Sequence, residues 1–205
     1  MTPRRPLLLA LTLLPACTQV ADAQGGLTPT PAQAEGPFYP RPLPAETDAD
    51  LVRVAGAPRQ AQGMRVALTG RVLRVDGTPV PGTRIEIWQT DHQGIYLHPR
   101  DPRVAQRDPG FQGYGVAVAD AAGHYAFRTI RPAHYPGRTA HIHLRATPPG
   151  GAPLTTQVYF PDDPGNEQDG LLRRVADPAR RAALMARMEP APGGEARALF
   201  DIVLR

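Results

Sequence analysis

The chain has 205 residues, 23 basic and 19 acidic, with a formal charge of +4 and a pI near 9.7, a length that suits one domain with a substantial core. Lysine is absent, and the arginines are scattered with no aromatic-basic stripe; this argues against a nucleic-acid surface and leaves a mild attraction for anionic substrates or surfaces. The 25 prolines and 20 glycines argue against a helical protein, and the single cysteine, Cys17, removes both a disulfide framework and a C-x-x-C metal site.

The first 23 residues read as an export signal. Arg4-Arg5 is followed by the apolar run Leu7 to Leu14 and then Pro15-Ala16-Cys17, and that run is too short to span a bilayer. Two processing sites compete. Leu14-Pro15-Ala16-Cys17 resembles a lipobox, with Pro15 a poor fit, and would leave a lipid on Cys17; Ala21-Asp22-Ala23 has the A-x-A form of ordinary cleavage. The lipobox is favoured. The paired arginines fit a twin-arginine signal and an ordinary basic n-region equally well. On any of these routes the mature chain is expected in the bacterial periplasm or on the cell surface, touching the membrane only through a lipid anchor.

Residues 24–62 are rich in Pro, Ala and Gly with little periodicity, and read as a tether and irregular N-terminal arm. Gly36-Pro37-Phe38-Tyr39-Pro40 is its informative part, since two adjacent aromatics need cover. From residue 63 to residue 205 the pattern is strand, turn, strand. Arg65 to Leu73 alternates, Asp76-Gly77 and Pro81-Gly82 are turns, and Thr83 to Gln89 alternates again. Gly115 to Ala119, the turn Asp120 to Gly123, and His124 to Arg128 repeat the unit. Short strands at this spacing predict an all-β fold, an antiparallel β-sandwich. One short C-terminal helix is expected, capped by Asp177 with Pro178 at its first position and running through Ala179 to Met188; Ala198 to Leu204 is expected as the last strand.

The chemistry concentrates in Tyr135-Pro136-Gly137-Arg138-Thr139-Ala140-His141-Ile142-His143. On a strand, His141 and His143 share a face and can converge on one metal, while Ile142 and Leu144 face the other way. Without a cysteine the neighbouring donor is the Tyr135 phenol, which as phenolate favours a hard trivalent ion, so the set points to oxidised non-haem iron. The H-x-H spacing alone is more often a polar strand face or a satisfied core pair than a metal site.

Four blocks taken together carry more. They are Ala34 to Pro40; Leu68 to Val72 through Ile85-Glu86-Ile87-Trp88-Gln89 to Gly94-Ile95-Tyr96; Tyr135 to His143; and Thr156 to Phe160 with the closing Phe200 to Arg205. In this order they resemble the intradiol ring-cleavage dioxygenases, in particular their iron-bearing protocatechuate-cleaving subunits. The resemblance implies a non-haem Fe(III) cofactor held by Tyr96, Tyr135, His141 and His143. It implies catalytic roles for Arg138, Gln157 and Tyr135, with Trp88 packed behind the ligands and Pro37 and Tyr39 near the pocket. It further implies a catecholic substrate, opened with O2 between its two hydroxyls to a cis,cis-muconate-type diacid, and a homo-oligomer or a heteromer with an iron-free homologous subunit. His92, His98, His124 and His134 fall outside this set.

The segment from Tyr135 to His141 is short for the family, and Gly137 stands where an aromatic is expected, which implies an open mouth and protocatechuate-like or larger catechols. A competing reading is a surface-tethered binding module, because Leu68 to Arg128 also resembles transthyretin-like and carboxypeptidase-regulatory-like sandwiches. A zinc or copper protein using His141 and His143 is a third.

Overall fold

The alternation of apolar residues from Met64 onward resolves into two facing sheets. The computed structural model describes residues 26–190 and 195–205; the leader readings at Arg4-Arg5, Cys17 and Ala21-Asp22-Ala23 lie outside them. The first sheet contains β1 (Arg65–Arg74), β4 (His124–Ile130), β7 (Arg187–Pro190), β8 (Ala196–Leu199) and β9 (Ile202–Leu204); the second contains β2 (Arg84–Trp88), β3 (Tyr114–Val118), β5 (His141–Thr147) and β6 (Leu154–Tyr159). The first is ordered β4-β1-β8-β7 with β9 also on β1, and the second β3-β2-β5-β6. Between them lies one core in which Leu68 and Phe127 meet Ile85, Ile87, Ile142, Leu144 and Val158. Burial of such side chains is the main favourable term holding the sheets together.

The sandwich reading holds, with two corrections. Its pairing is mixed: β1 runs antiparallel to β4 but parallel to both β8 and β9. The expected final strand is broken in two at Phe200-Asp201, where Tyr125 Oη donates to the Phe200 carbonyl at 2.6 Å and Asp201 Oδ1 accepts the Arg71 N–H at 2.8 Å.

The helical expectation is corrected in the same region. Asp177 caps a helix as expected, accepting from the Ala179 and Arg180 N–H groups, but α2 is only Pro178–Ala182, and a four-residue α1 (Gly170–Arg173) precedes it. Tertiary pairing overrides helix propensity beyond Ala182. Leu184 is fully buried, its carbonyl accepts the Tyr159 N–H at 2.9 Å, and the Ala186 N–H donates back to the Tyr159 carbonyl at 2.9 Å. Residues 187–190, read as the helix end and the proline stop, form β7 against β8. Among the described residues no helix is long and apolar enough to cross a membrane.

The arm is stitched to the edge strand β6. Gln33 N–H donates to the Thr155 carbonyl at 2.9 Å, Thr156 Oγ1 donates to the Pro31 carbonyl at 2.7 Å, and Gln157 Nε2 donates to the Ala34 carbonyl at 3.0 Å. These bonds carry Gly36 to Tyr39 across the outer face of the second sheet.

Candidate metal centre

Strand register builds the floor of the site. Residues opposite one another on antiparallel strands share a face, and Trp88 lies opposite both Tyr114 and His143, His143 opposite Gln157, and His141 opposite Tyr159. One row of the outer face therefore reads Tyr114, Trp88, His143, Gln157, and the next carries His141 and Tyr159. All six are buried, because the arm and two loops cover this face. Gln157 is thus no solvent-facing strand residue.

Each loop delivers a phenol. The loop between β2 and β3 closes on itself through Asp91, whose Oδ1 accepts the Gln93 and Ile95 N–H groups, and a Thr90–Tyr96 bridge turns Tyr96 inward. Tyr135-Pro136-Gly137-Arg138 is a four-residue turn, with the Arg138 N–H on the Tyr135 carbonyl at 3.0 Å and Gly137 at φ +79°. Proline followed by a residue at positive φ is the type II pattern. The turn places Tyr135 and Arg138 side by side, with Arg138 Nη1 donating to Tyr135 Oη at 3.3 Å.

The four proposed ligands converge. Tyr96 Oη lies 3.0 Å from His143 Nε2, which lies 3.2 Å from His141 Nε2. The Tyr135 ring packs against Tyr96 and His141 at centroid distances of 5.4 and 5.6 Å. Around them, Trp88 stacks on His143 at 5.0 Å and 5°, and Phe38 stacks on Tyr96 at 4.5 Å. Gly36, at φ +74°, comes so close that a Cβ there would stand 3.1 Å from His143 Cε1. Tyr39 meets the edge of Trp88 and donates to Glu86 Oε1 at 2.8 Å. Pro37 lines a cleft of about 510 Å³ together with Glu35, Gly36, Tyr39, Arg41 and His98.

The electrostatics suit a cation. His141 Nδ1 donates to the Thr139 carbonyl at 2.7 Å, which leaves its Nε2 as a bare lone pair aimed at His143. Burial, assisted by the Arg138 charge, pulls His141 down to about 3, and burial with the neighbouring His141 and Arg138 pulls His143 well below the ordinary imidazole value. Both rings are therefore neutral, as metal ligands must be. His143 Nδ1 is buried without a partner among the described residues. Burial, reinforced by Tyr135, pushes Tyr96 well above the ordinary phenol value, so its phenolate requires a cation beside it. Among the described residues no group of three or more His, Cys, Asp or Glu could hold a metal. Two imidazoles and two phenols fit a hard trivalent ion.

Arg138 is held on both sides. Its Nε donates to Asp169 Oδ2 at 2.7 Å, and its Nη2 donates to Gln157 Oε1 at 2.5 Å and to Tyr159 Oη at 3.2 Å. Burial works to raise the Asp169 pKa, but hydrogen bonds from Leu172, Arg138 and Thr139 outweigh it and hold the carboxyl below its usual range. Tyr159 and Asp169 were not singled out from the sequence. Tyr159 carries a weak signal, two residues after Gln157 on a strand; Asp169 carries only that of a helix cap. Outside the ligand set, His134 pairs with Asp163 at 2.7 Å, and His98, in the cleft beside Pro37, accepts the Arg100 N–H at its Nδ1 at 3.0 Å.

The chain is similar to known dioxygenases. Residues 34–205 match the family described as Dioxygenase. The chain is 38% identical to the beta chain of protocatechuate 3,4-dioxygenase from Burkholderia cepacia, over 77% of this chain and 72% of that one. It is 32% identical to hydroxyquinol 1,2-dioxygenase from Rhizobium sp. (strain MTP-10005), over 58% of this chain but only 48% of the relative. Among solved structures, the dioxygenase domain of a dioxygenase carbohydrate-binding protein fusion from Streptomyces sp. SirexAA-E superposes with a TM-score of 0.65. The two are 34% identical, with 86% of this chain and 98% of that one covered. The chain belongs to the intradiol ring-cleavage dioxygenase family, enzymes that open an aromatic ring with dioxygen.

Proposed function

We propose that this chain opens a catechol-type aromatic, protocatechuate-like or larger, between its two hydroxyls with O2, giving a cis,cis-muconate-type diacid, and that it does so with a ferric ion held by Tyr96, Tyr135, His141 and His143. The convergence of two phenols on two neutral imidazoles carries the reading. A catalytically silent sandwich module leaves that convergence, and the arginine beside it, without a purpose. Bound there, the ferric ion would supply Lewis acidity, drawing electron density from a chelated catechol.

The protein groups divide the remaining work. Tyr96 is fully buried and fixed under Phe38, whereas Tyr135 is half-buried at the rim. Tyr135 is thus the phenol placed to take a proton from an entering catechol hydroxyl. Arg138, with Nη1 on Tyr135 Oη, stabilises the anionic phenol and the negative charge of the bound ring. Gln157 has both amide ends engaged, by Arg138 and by Ala34, and so holds the guanidinium toward the site. Phe38, Gly36 and Trp88 exclude water from the ligand side.

Export through the leader, with a lipid on Cys17, belongs to the same proposal, as does assembly into a homo-oligomer or with an iron-free homologue. The reaction is tested with ¹⁸O2 and protocatechuate. One oxygen atom in each new carboxyl group of a ring-opened triacid supports the proposal; no ring opening of any catechol by the iron-loaded chain refutes it.

A further inference from the structure

Asp169 stands immediately before α1 and is 1% exposed. Its Oδ1 accepts the Leu171 and Leu172 N–H groups, both at 3.0 Å, which makes it an N-cap. Its Oδ2 faces the opposite way and accepts Arg138 Nε at 2.7 Å and the Thr139 N–H at 3.1 Å. A cap needs one oxygen, and Ser or Asn serves as well as Asp. The second oxygen, its charge and its near-complete burial are explained only by what lies on its other side.

There it grips the ligand block at two adjacent residues. Fixing Nε of a planar guanidinium fixes the directions of both other nitrogens, and here Nη1 points to Tyr135 Oη while Nη2 points to Gln157 and Tyr159. The Arg138 side chain is 13% exposed, and an arginine so enclosed keeps a defined place only with its counter-charge bonded to it. Thr139, the second residue held, is the one whose carbonyl orients His141.

We propose that Asp169 is a positioning residue for ring opening, acting through Arg138 by setting the direction in which the guanidinium meets Tyr135 and the bound ring. The inference rests on the function proposed above, because only there does Arg138 act on a substrate.

The test uses the full chain with Asp169→Asn, which keeps a capping oxygen and removes the charge. In the iron-free protein, NMR of the Arg138 Nε–H is expected to show a protected proton in the parent and exchange faster by about tenfold or more in the variant, the size of effect a lost charge-assisted hydrogen bond gives. In the iron-loaded protein kcat is expected to fall about tenfold while the phenolate-to-iron absorption stays. In an Arg138→Met background the same substitution is expected to cost less than about twofold, since two residues acting as a unit do not add. An unchanged Nε–H signal, or an equal loss of kcat with and without Arg138, overturns the proposal. Should Asp169→Asn not fold, Asp169→Glu replaces it, keeping the charge but displacing the carboxylate by one methylene. Parent-like exchange and kcat in that variant count against the inference. A parent that opens no catechol refutes the proposed function alone, and the Nε–H measurement still judges the role of Asp169.

Discussion

Two substitutions test the site one residue at a time. Tyr135→Phe removes the rim phenol while leaving its ring to pack against Tyr96 and His141. The expected outcome is loss of most of the phenolate-to-iron colour and weakened iron retention at near-parent stability; unchanged absorbance and iron content contradict its place among the ligands. Gly36→Ala tests the cover. An L-residue at φ +74° costs about 1–2 kcal/mol, and the added Cβ would meet His143 Cε1 at 3.1 Å. The variant is expected to melt about 2–8 °C lower and to hold iron less tightly, measured by calorimetry and metal analysis; a parent-like Tm and iron content would show that the arm does not press on the ligand.

Among the elements, the arm depends on one buried carboxylate. Glu86 on β2 accepts Tyr39 Oη at 2.8 Å and Tyr114 Oη at 2.5 Å, and pairs with Arg84 at 2.5 Å. Arg145 adds to the clamp, stacking over the Tyr39 ring at 4.4 Å and pairing with Glu35. Burial works to raise the Glu86 pKa, but hydrogen bonds from Tyr114, Arg84 and Tyr39 outweigh it and hold it below the usual value. A carboxyl depressed in the fold stabilises it above the unfolded pKa, and that contribution fades as pH falls through the folded one. Glu86→Gln is therefore expected to melt below the parent at neutral pH, with the gap closing below about pH 4.5; a gap that stays constant as pH falls well below 4.5 contradicts this. The sequence made β5 legible, because alternation puts His141 and His143 on one face, and it made the Tyr-Pro-Gly-Arg turn legible through its residue types. It could not give sheet register, so the row Tyr114, Trp88, His143, Gln157 became visible only with the strands paired. Asp169 reads locally as a cap, and its partner lies 31 residues away. The apolar spacing of Leu184 and Met188 imitates a helix because Leu184 is buried, but its backbone is committed to Tyr159.

At the scale of the whole molecule, the short turn at Gly137 describes the mouth. Among the described residues a Cβ at Gly137 would meet nothing within 4 Å, so none of their side chains closes the site there, and Arg100 and Arg41, the latter 3.6 Å from Glu35, line the cleft beside Pro37. Carboxylated catechols are expected to show a kcat/KM that falls several-fold as salt rises from about 0.01 to 1 M, as screened steering requires, while neutral catechol shows none; equal salt dependence for both contradicts the steering. The proposed reaction as a whole depends on the metal centre. Its most direct test is metal analysis and a visible spectrum of the protein purified without added metal, before and after anaerobic addition of a catechol. A burgundy protein with about one ferric ion per chain, whose band moves to longer wavelength with catechol, is the predicted result; a protein that stays colourless after loading with iron contradicts it.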